Sequence, residues 1–175
     1  MFLLPNTSIE NDPAVSQSKP IDARDRAILR NLLSDGRLTI GELAERVGLS
    51  PSPCWQRVRR MEVSGLIKGY SAILDSSRLG VPEIVIVEVT LDRHDDEALE
   101  EFGKSMARFP EVLEVYLTTG DYDYLIKVAV SGTQGYEEFL RNKLYRIRGL
   151  RHSRSSFALR CLKHVQAFVP DMDPE

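Results

Sequence analysis

Residues 39–68 constrain this chain more than any other stretch, because they mark two short helices with a tight turn between them. Thr39 and Glu42 have the spacing of a capping box, in which each side chain satisfies an orphan amide at a helix start. Leu43, Ala44 and Val47 then supply a short apolar face, and Gly48 stands where a left-handed residue ends a helix. Ser50 is a favourable cap for a second helix, and Pro51 a first residue already held at the helical φ. The pattern predicts a helix–turn–helix.

Angular sorting divides the second helix. At roughly 100° per residue, Cys54, Val58 and Met61 share an apolar face, while Ser52, Gln56, Arg59 and Arg60 lie opposite and Pro53 and Arg57 flank them. Arginine clamps guanine bidentately, glutamine does the same for adenine, and both hold phosphates. A lone arginine-rich helix is more often a solvated face, but the capped turn and the helix before it favour duplex DNA as the partner. The expected contacts are Ser50, Ser52, Pro53, Gln56, Arg57, Arg59 and Arg60.

The charge balance fits a local rather than a global attraction. The formal net charge is −3 over 175 residues, which argues against a nonspecific polycation. Residues 21–70 carry an excess of Lys and Arg, whereas residues 81–175 carry an excess of Asp and Glu. A basic module joined to an acidic one suits a reader of DNA fused to a part that does not touch it. With only two cysteines, Cys54 and Cys161, and no CxxC, His–Cys or HExxH arrangement, no metal site or cofactor is expected. This cysteine usage fits a reducing cytoplasm. Met1–Pro5 is too short for a signal peptide or a membrane span, and residues 1–20 read as a disordered arm.

Asp22 is placed to cap a helix running to about Asp35, with Ile28, Leu29, Leu32 and Leu33 as its apolar stripe. Residues 21–70 thus read as a trihelical, winged type of DNA-binding domain. Residues 71–82 read as an extended linker strand, 83–168 as a second domain, and 169–175 as a tail. Within 83–168, strand-like alternation at 84–91, 112–119 and 122–130 brackets a helical stripe at 95–109. A second helix is expected at 133–148, with one or two strands over 150–168. The order βαββαβ is the split, ferredoxin-like α+β arrangement, with both helices on one sheet face. The other face, expected to include Ile84, Ile86, Glu88, Tyr116 and Ile126 or their strand neighbours, suits a dimer contact.

Four stretches resemble the Lrp/AsnC family of bacterial and archaeal transcription regulators over about residues 21–168. They are Asp22-x-x-Asp25-x-x-Ile28-Leu29, the run from Val47 to Arg60, Gly65-Leu-Ile-Lys-Gly-Tyr70, and Gly120-Asp-Tyr-Asp-Tyr-Leu-Ile-Lys-Val128. The resemblance implies a dimer, often assembled to an octamer, that binds operator DNA and responds to a small molecule, usually an amino acid. Its effector loop maps onto Thr118, Gly120, Asp121, Asp123 and Tyr124, with Thr133, Tyr136 and Ser155 as further lining. A Gly-Asp turn is also an ordinary hairpin, so the residues alone leave both readings open. The chain departs from the family at Gly41, inside a helix, and at the large Trp55 beside the core face.

Two rival functions share this layout. An architectural, nucleoid-type DNA-binding protein would need no effector. A siroheme decarboxylase-like enzyme would need catalytic histidines, for which His94, His152 and His164 are the only candidates. Lone histidines are weak evidence for catalysis, and the capped basic helix favours a regulator.

Overall fold

Asp22 caps the first helix. The computed structural model describes residues 20–171, so all but one residue of the expected N-terminal arm lies outside it, as do residues 172–175. Helix α1 spans Ala23–Ser34; the Asp22 carboxylate accepts the Asp25 N–H at 2.9 Å, and the Asp25 carboxylate accepts the Asp22 N–H at 3.1 Å. Helix α2, Ile40–Val47, starts with the Thr39–Glu42 capping box and ends at Gly48, whose φ of 64° is left-handed. The Arg24 guanidinium donates to the Val47 carbonyl, covering an acceptor left open where α2 ends. Helix α3, Pro51–Val63, follows, with Ser50 as an extended N-cap whose hydroxyl makes no capping hydrogen bond.

The three helices close on Ile28, Leu43, Ala44, Val47, Cys54, Val58 and Met61, all buried. Each large apolar side chain in such a core contributes roughly 1.5–3 kcal/mol by leaving water. Residues 66–82, expected to hold a strand leading into a linker, form none; they run as irregular chain into a turn between Asp75 and Gly80. Glycines at 65, 69 and 80, all at positive φ, interrupt the alternation that strand pairing needs.

Residues 73–164 form a second compact unit, while residues 165–171 group with the first. Its elements are β1 (Glu83–Leu91), α4 (Asp96–Met106), β2 (Val112–Leu117), β3 (Tyr124–Val130), α5 (Thr133–Asn142) and β4 (Leu150–Phe157). The strands are all antiparallel in the order β2-β3-β1-β4, the ferredoxin-like arrangement. Val85, Val87, Val89 and Leu91 turn one apolar row of β1 toward the helices, where Phe102 and Met106 of α4 and Tyr136 and Phe139 of α5 complete the core.

Two local readings change, and a third, left open between Ile126 and its neighbours, is resolved. The expected helix over 133–148 stops at Asn142, because Lys143 leaves helical φ/ψ and a 3-10 turn, Leu144–Arg146, carries Leu144 into the core. Only one strand forms after Leu150, and residues 158–168 are irregular, with Leu159, Leu162, Val165 and Phe168 exposed. Ile126 belongs to the helix side: it pairs with Val87 and Val115 and is fully buried. Its neighbours Leu125 and Lys127 lie on the open face beside Glu88 and Ile86, since side chains alternate along a strand.

Candidate functional site

The outward surface of α3 is built by what its inward surface must bury. Cys54, Val58 and Met61 are fixed in the trihelical core, so Ser52, Pro53, Gln56 and Arg59 project into solvent together with Ser50 at the cap. Ser50 and Ser52 offer free hydroxyls beside the helix N-terminus, whose exposed amides and partial positive charge favour an anion. Gln56 and Arg59 add an amide and a guanidinium; among the described residues Arg59 makes only a long, exposed contact of 3.4 Å to Glu62. Trp55 is 54% exposed and shares a shallow groove with Leu32, Leu38, Ile40 and Tyr70.

Arg57 and Arg60 stand differently from the free base readers expected. Arg57 Nη1 donates to Asp22 Oδ2 at 2.6 Å and to Asp25 Oδ1 at 2.8 Å, and Arg60 Nη2 donates to Asp25 Oδ2. Asp25 is completely buried, and its carboxylate joins α1 to α3 through two guanidinium groups. Hydrogen bonding from the Asp25 N–H, reinforced by Arg57, lowers the Asp22 pKa to about 2, and the two aspartates in turn raise that of Arg57. Both arginines therefore fix the angle at which α3 is presented. Angular sorting missed this because it treats a helix as isolated. The signal was Asp25 itself, an acid three residues before the buried Ile28 on the same face of α1.

The β2–β3 loop in the second unit is tied at both ends. The Thr118 N–H donates to Asp123 O at 2.8 Å, the Asp123 N–H to Val89 O at 2.8 Å, and Thr118 Oγ1 to Tyr122 O at 2.7 Å. The Asp123 carboxylate accepts the Leu91 N–H at 2.7 Å and lies 3.0 Å from His94 Nδ1, so both its oxygens have partners. Asp121 is exposed beside Gly120, whose φ of 124° only glycine adopts easily. Tyr124 is a core residue: its hydroxyl donates to Leu99 O at 2.6 Å and its ring lies 5.0 Å from Phe102.

The remaining expected lining lies elsewhere. Tyr136 is buried, with its hydroxyl against Ser155 Oγ and its ring edge-on to Phe157 at 5.5 Å; burial raises the pKa of the phenol. Thr133 opens α5, just beyond the far end of β3. The length of β3, roughly 20 Å at 3.4 Å per residue, separates the Gly120–Asp123 loop from Thr133 within one chain. The fold therefore gathers Thr118, Gly120, Asp121 and Asp123 at one end of the sheet and Thr133 at the other, with Ser155 and Tyr136 between them. Among the described residues no His, Cys, Asp and Glu cluster is arranged to hold a metal.

A winged helix-turn-helix DNA-binding family model matches residues 21–68, and the Lrp/AsnC ligand binding domain model matches residues 84–168. The leucine-responsive regulatory protein of Klebsiella pneumoniae is 38% identical over 151 residues, 86% of this chain and 92% of that protein. This chain belongs to the Lrp/AsnC family.

Solved structures agree with that membership. A transcriptional regulator from Neisseria meningitidis, in complex with L-Met, superposes with a TM-score of 0.79 at 34% identity, covering 83% of this chain and 94% of that one. The feast or famine regulatory protein of M. tuberculosis, complexed with L-methionine, gives 0.76 at 30% identity, covering 86% and 99%. The chain is thus an Lrp/AsnC-type transcription regulator, with a DNA-binding helix-turn-helix and a ligand-binding domain. No helix among the described residues is long and apolar enough to cross a membrane.

Proposed function

We propose that this regulator binds specific operator DNA through α3 and that a free amino acid modulates the binding. The observation carrying this reading is the division of labour on α3. Arg57 and Arg60 hold the helix against α1, leaving Ser50, Ser52, Gln56 and Arg59 facing solvent from a braced element. In this arrangement Gln56 and Arg59 read base edges, the serines hold phosphates, and Pro53 packs beside the backbone.

The effector is an amino acid, for which the methionine-bound relatives of N. meningitidis and M. tuberculosis provide support. Gly120 and the backbone amides around it receive the carboxylate, and Asp121, exposed and without a side-chain partner among the described residues, meets the α-ammonium. Because Thr133 lies a strand length from the loop, it lines the same cleft only if another copy of the chain supplies it. Ser155, paired with Val87, and Tyr136, against Ser155, lie nearer, at mid-sheet. The open sheet face, with Ile84, Ile86, Leu125 and Tyr116, is suited to pairing two copies, and such dimers can assemble further toward an octamer. The protein acts in the cytoplasm, without a cofactor and as a regulator rather than an enzyme.

Fluorescence anisotropy with promoter fragments, with and without each of the twenty amino acids, tests the reading. Tight binding to a subset of fragments that changes with one amino acid is the expected result. Equal affinity for every duplex with no amino-acid effect would make the protein architectural. Thermal shift gives an independent measure, since a ligand at a hundred times its Kd adds about 2.7 kcal/mol of stability.

A further inference from the structure

The acidic charge of the second unit conceals a segregation. Between Glu138 and Asp171 the sequence contains eight Lys and Arg and no Asp or Glu. Two of these cations are neutralised locally, Arg141 by Glu137 at 3.7 Å and Lys143 by Glu111. Arg146, Arg148 and Arg151 are not: all three are exposed, and among the described residues none has a carboxylate within ion-pair distance.

Of these three, Arg151 lines a cleft, and Arg146 and Arg148 adjoin its lining residues Tyr145 and Ile147 in the chain. The 3-10 turn ends at Arg146, Gly149 turns the chain at a φ of 85°, and β4 starts at Leu150. Tyr145, Arg151, His152 and Ser153 line one shallow open cleft floored by Ile147 and Leu150, and Tyr145 is 57% exposed. The unpaired guanidinium of Arg151 beside an exposed phenol, an imidazole and a hydroxyl, with Arg146 and Arg148 close by in the chain, supplies the kind of groups that contact phosphate and sugar. A cationic surface with no carboxylate of its own attracts a polyanion, and the polyanion this regulator meets is duplex DNA. The helix-turn-helix has reason to need such help, because two of the three α3 arginines are already held by Asp22 and Asp25.

We propose that Arg146, Arg148 and Arg151 form a second, sequence-independent DNA surface that grips the phosphate backbone while α3 reads the bases. The inference rests on the operator-binding reading above. The alternative occupant is the acidic start of α4 (Asp95, Asp96 and Glu97) on a second copy of the chain.

The test uses the full chain and a fluorescein-labelled duplex titrated across a KCl series, with light scattering to report assembly. The triple variant Arg146→Gln/Arg148→Gln/Arg151→Gln should fold normally, keep its mass, and lose about two to three from the slope of log affinity against log salt, at roughly 0.9 per phosphate contact. The single reversal Arg148→Glu should lower the slope by about one. An unchanged slope in both variants overturns the proposal. A fall in assembly size with the slope per copy preserved also overturns it and assigns the surface to the second copy. If the wild-type protein bound no duplex at any salt, the operator-binding reading would fail as well.

Discussion

Arg57 Nη1 lies 2.8 Å from an oxygen of Asp25, a carboxylate with no solvent exposure at all. A buried carboxylate is tolerated only while its charge is compensated, so this contact and its twin from Arg60 make α1 and α3 one mechanical piece. Arg57→Ala or Arg60→Ala should each cost about 1–3 kcal/mol. The double variant, which strands Asp25, should cost about 3–5 kcal/mol. Urea midpoints at constant m-value report these losses, and two fully stable single variants would show that the pairs brace nothing.

Arg59 should behave in the opposite way. Its side chain is exposed, so Arg59→Ala should change stability by no more than about 0.5 kcal/mol while weakening operator binding by about 1–3 kcal/mol. Anisotropy and denaturation of the same preparation separate the two effects. A loss of stability with the DNA affinity of the folded protein intact would reverse the roles assigned to Arg59 and Arg57.

Acid should loosen the first unit through Asp22. Its pKa is about 2 in the folded chain against an ordinary 3.8, held down chiefly by the Asp25 N–H and further by Arg57. In that interval the unfolded chain binds more protons than the folded one, so stability rises with pH. The contribution is complete above about pH 4 and fades as pH falls toward 2. Asp22→Asn keeps a good helix cap but removes the charge. Its urea midpoint should therefore fall less between pH 4 and pH 3 than that of the wild type; identical slopes would assign the acid response elsewhere.

Two helical glycines should respond with opposite signs. A Cβ on Gly103 would stand 2.9 Å from the Tyr124 hydroxyl, which is buried and bonded to Leu99 O. Gly103→Ala should cost about 1–3 kcal/mol despite its better helix propensity. At Gly41 the nearest atom is Thr39 Oγ1 at 3.9 Å, so Gly41→Ala should stabilise by up to about 1 kcal/mol. Thermal melts of the pair provide the measurement, and a stabilised Gly103→Ala would mean that Tyr124 can move freely.

Asp121 and Asp123 should also separate. Asp123→Ala removes the acceptor for the Leu91 N–H and the partner of His94, and should destabilise the second unit by about 1–3 kcal/mol. Asp121→Ala should leave stability and effector-free DNA affinity unchanged while abolishing the amino-acid response. A normal response in Asp121→Ala would remove that carboxylate from the ligand site.

How much could be read from the chain depended on the range of the interaction. Thr39–Glu42, Gly48 and Pro51 act over four residues or fewer, so the helix starts and stops were legible without any fold. The alternation Val85, Val87, Val89, Leu91 likewise revealed which face of β1 is buried. For Ile126 the pattern was ambiguous, because β3 is flanked on both sides and its side depends on pairing with Val87 and Val115. Leu144 could not be placed by helical period, because the core captures it through a 3-10 turn.

The helix-turn-helix, the βαββαβ order and the choice of α3 as the presented helix were determined by the sequence itself, since caps, turn glycines and apolar periods are local. The roles of the arginines on that helix were decided only in three dimensions. Arg57 and Arg59 are two positions apart and chemically identical, yet one meets Asp22 and Asp25 from more than thirty residues away and the other meets solvent. Periodicity can assign a residue to a helix face, but only packing determines which charges lie opposite that face. The same distinction leaves Asp121 open to a ligand and commits Asp123 to holding the end of β1.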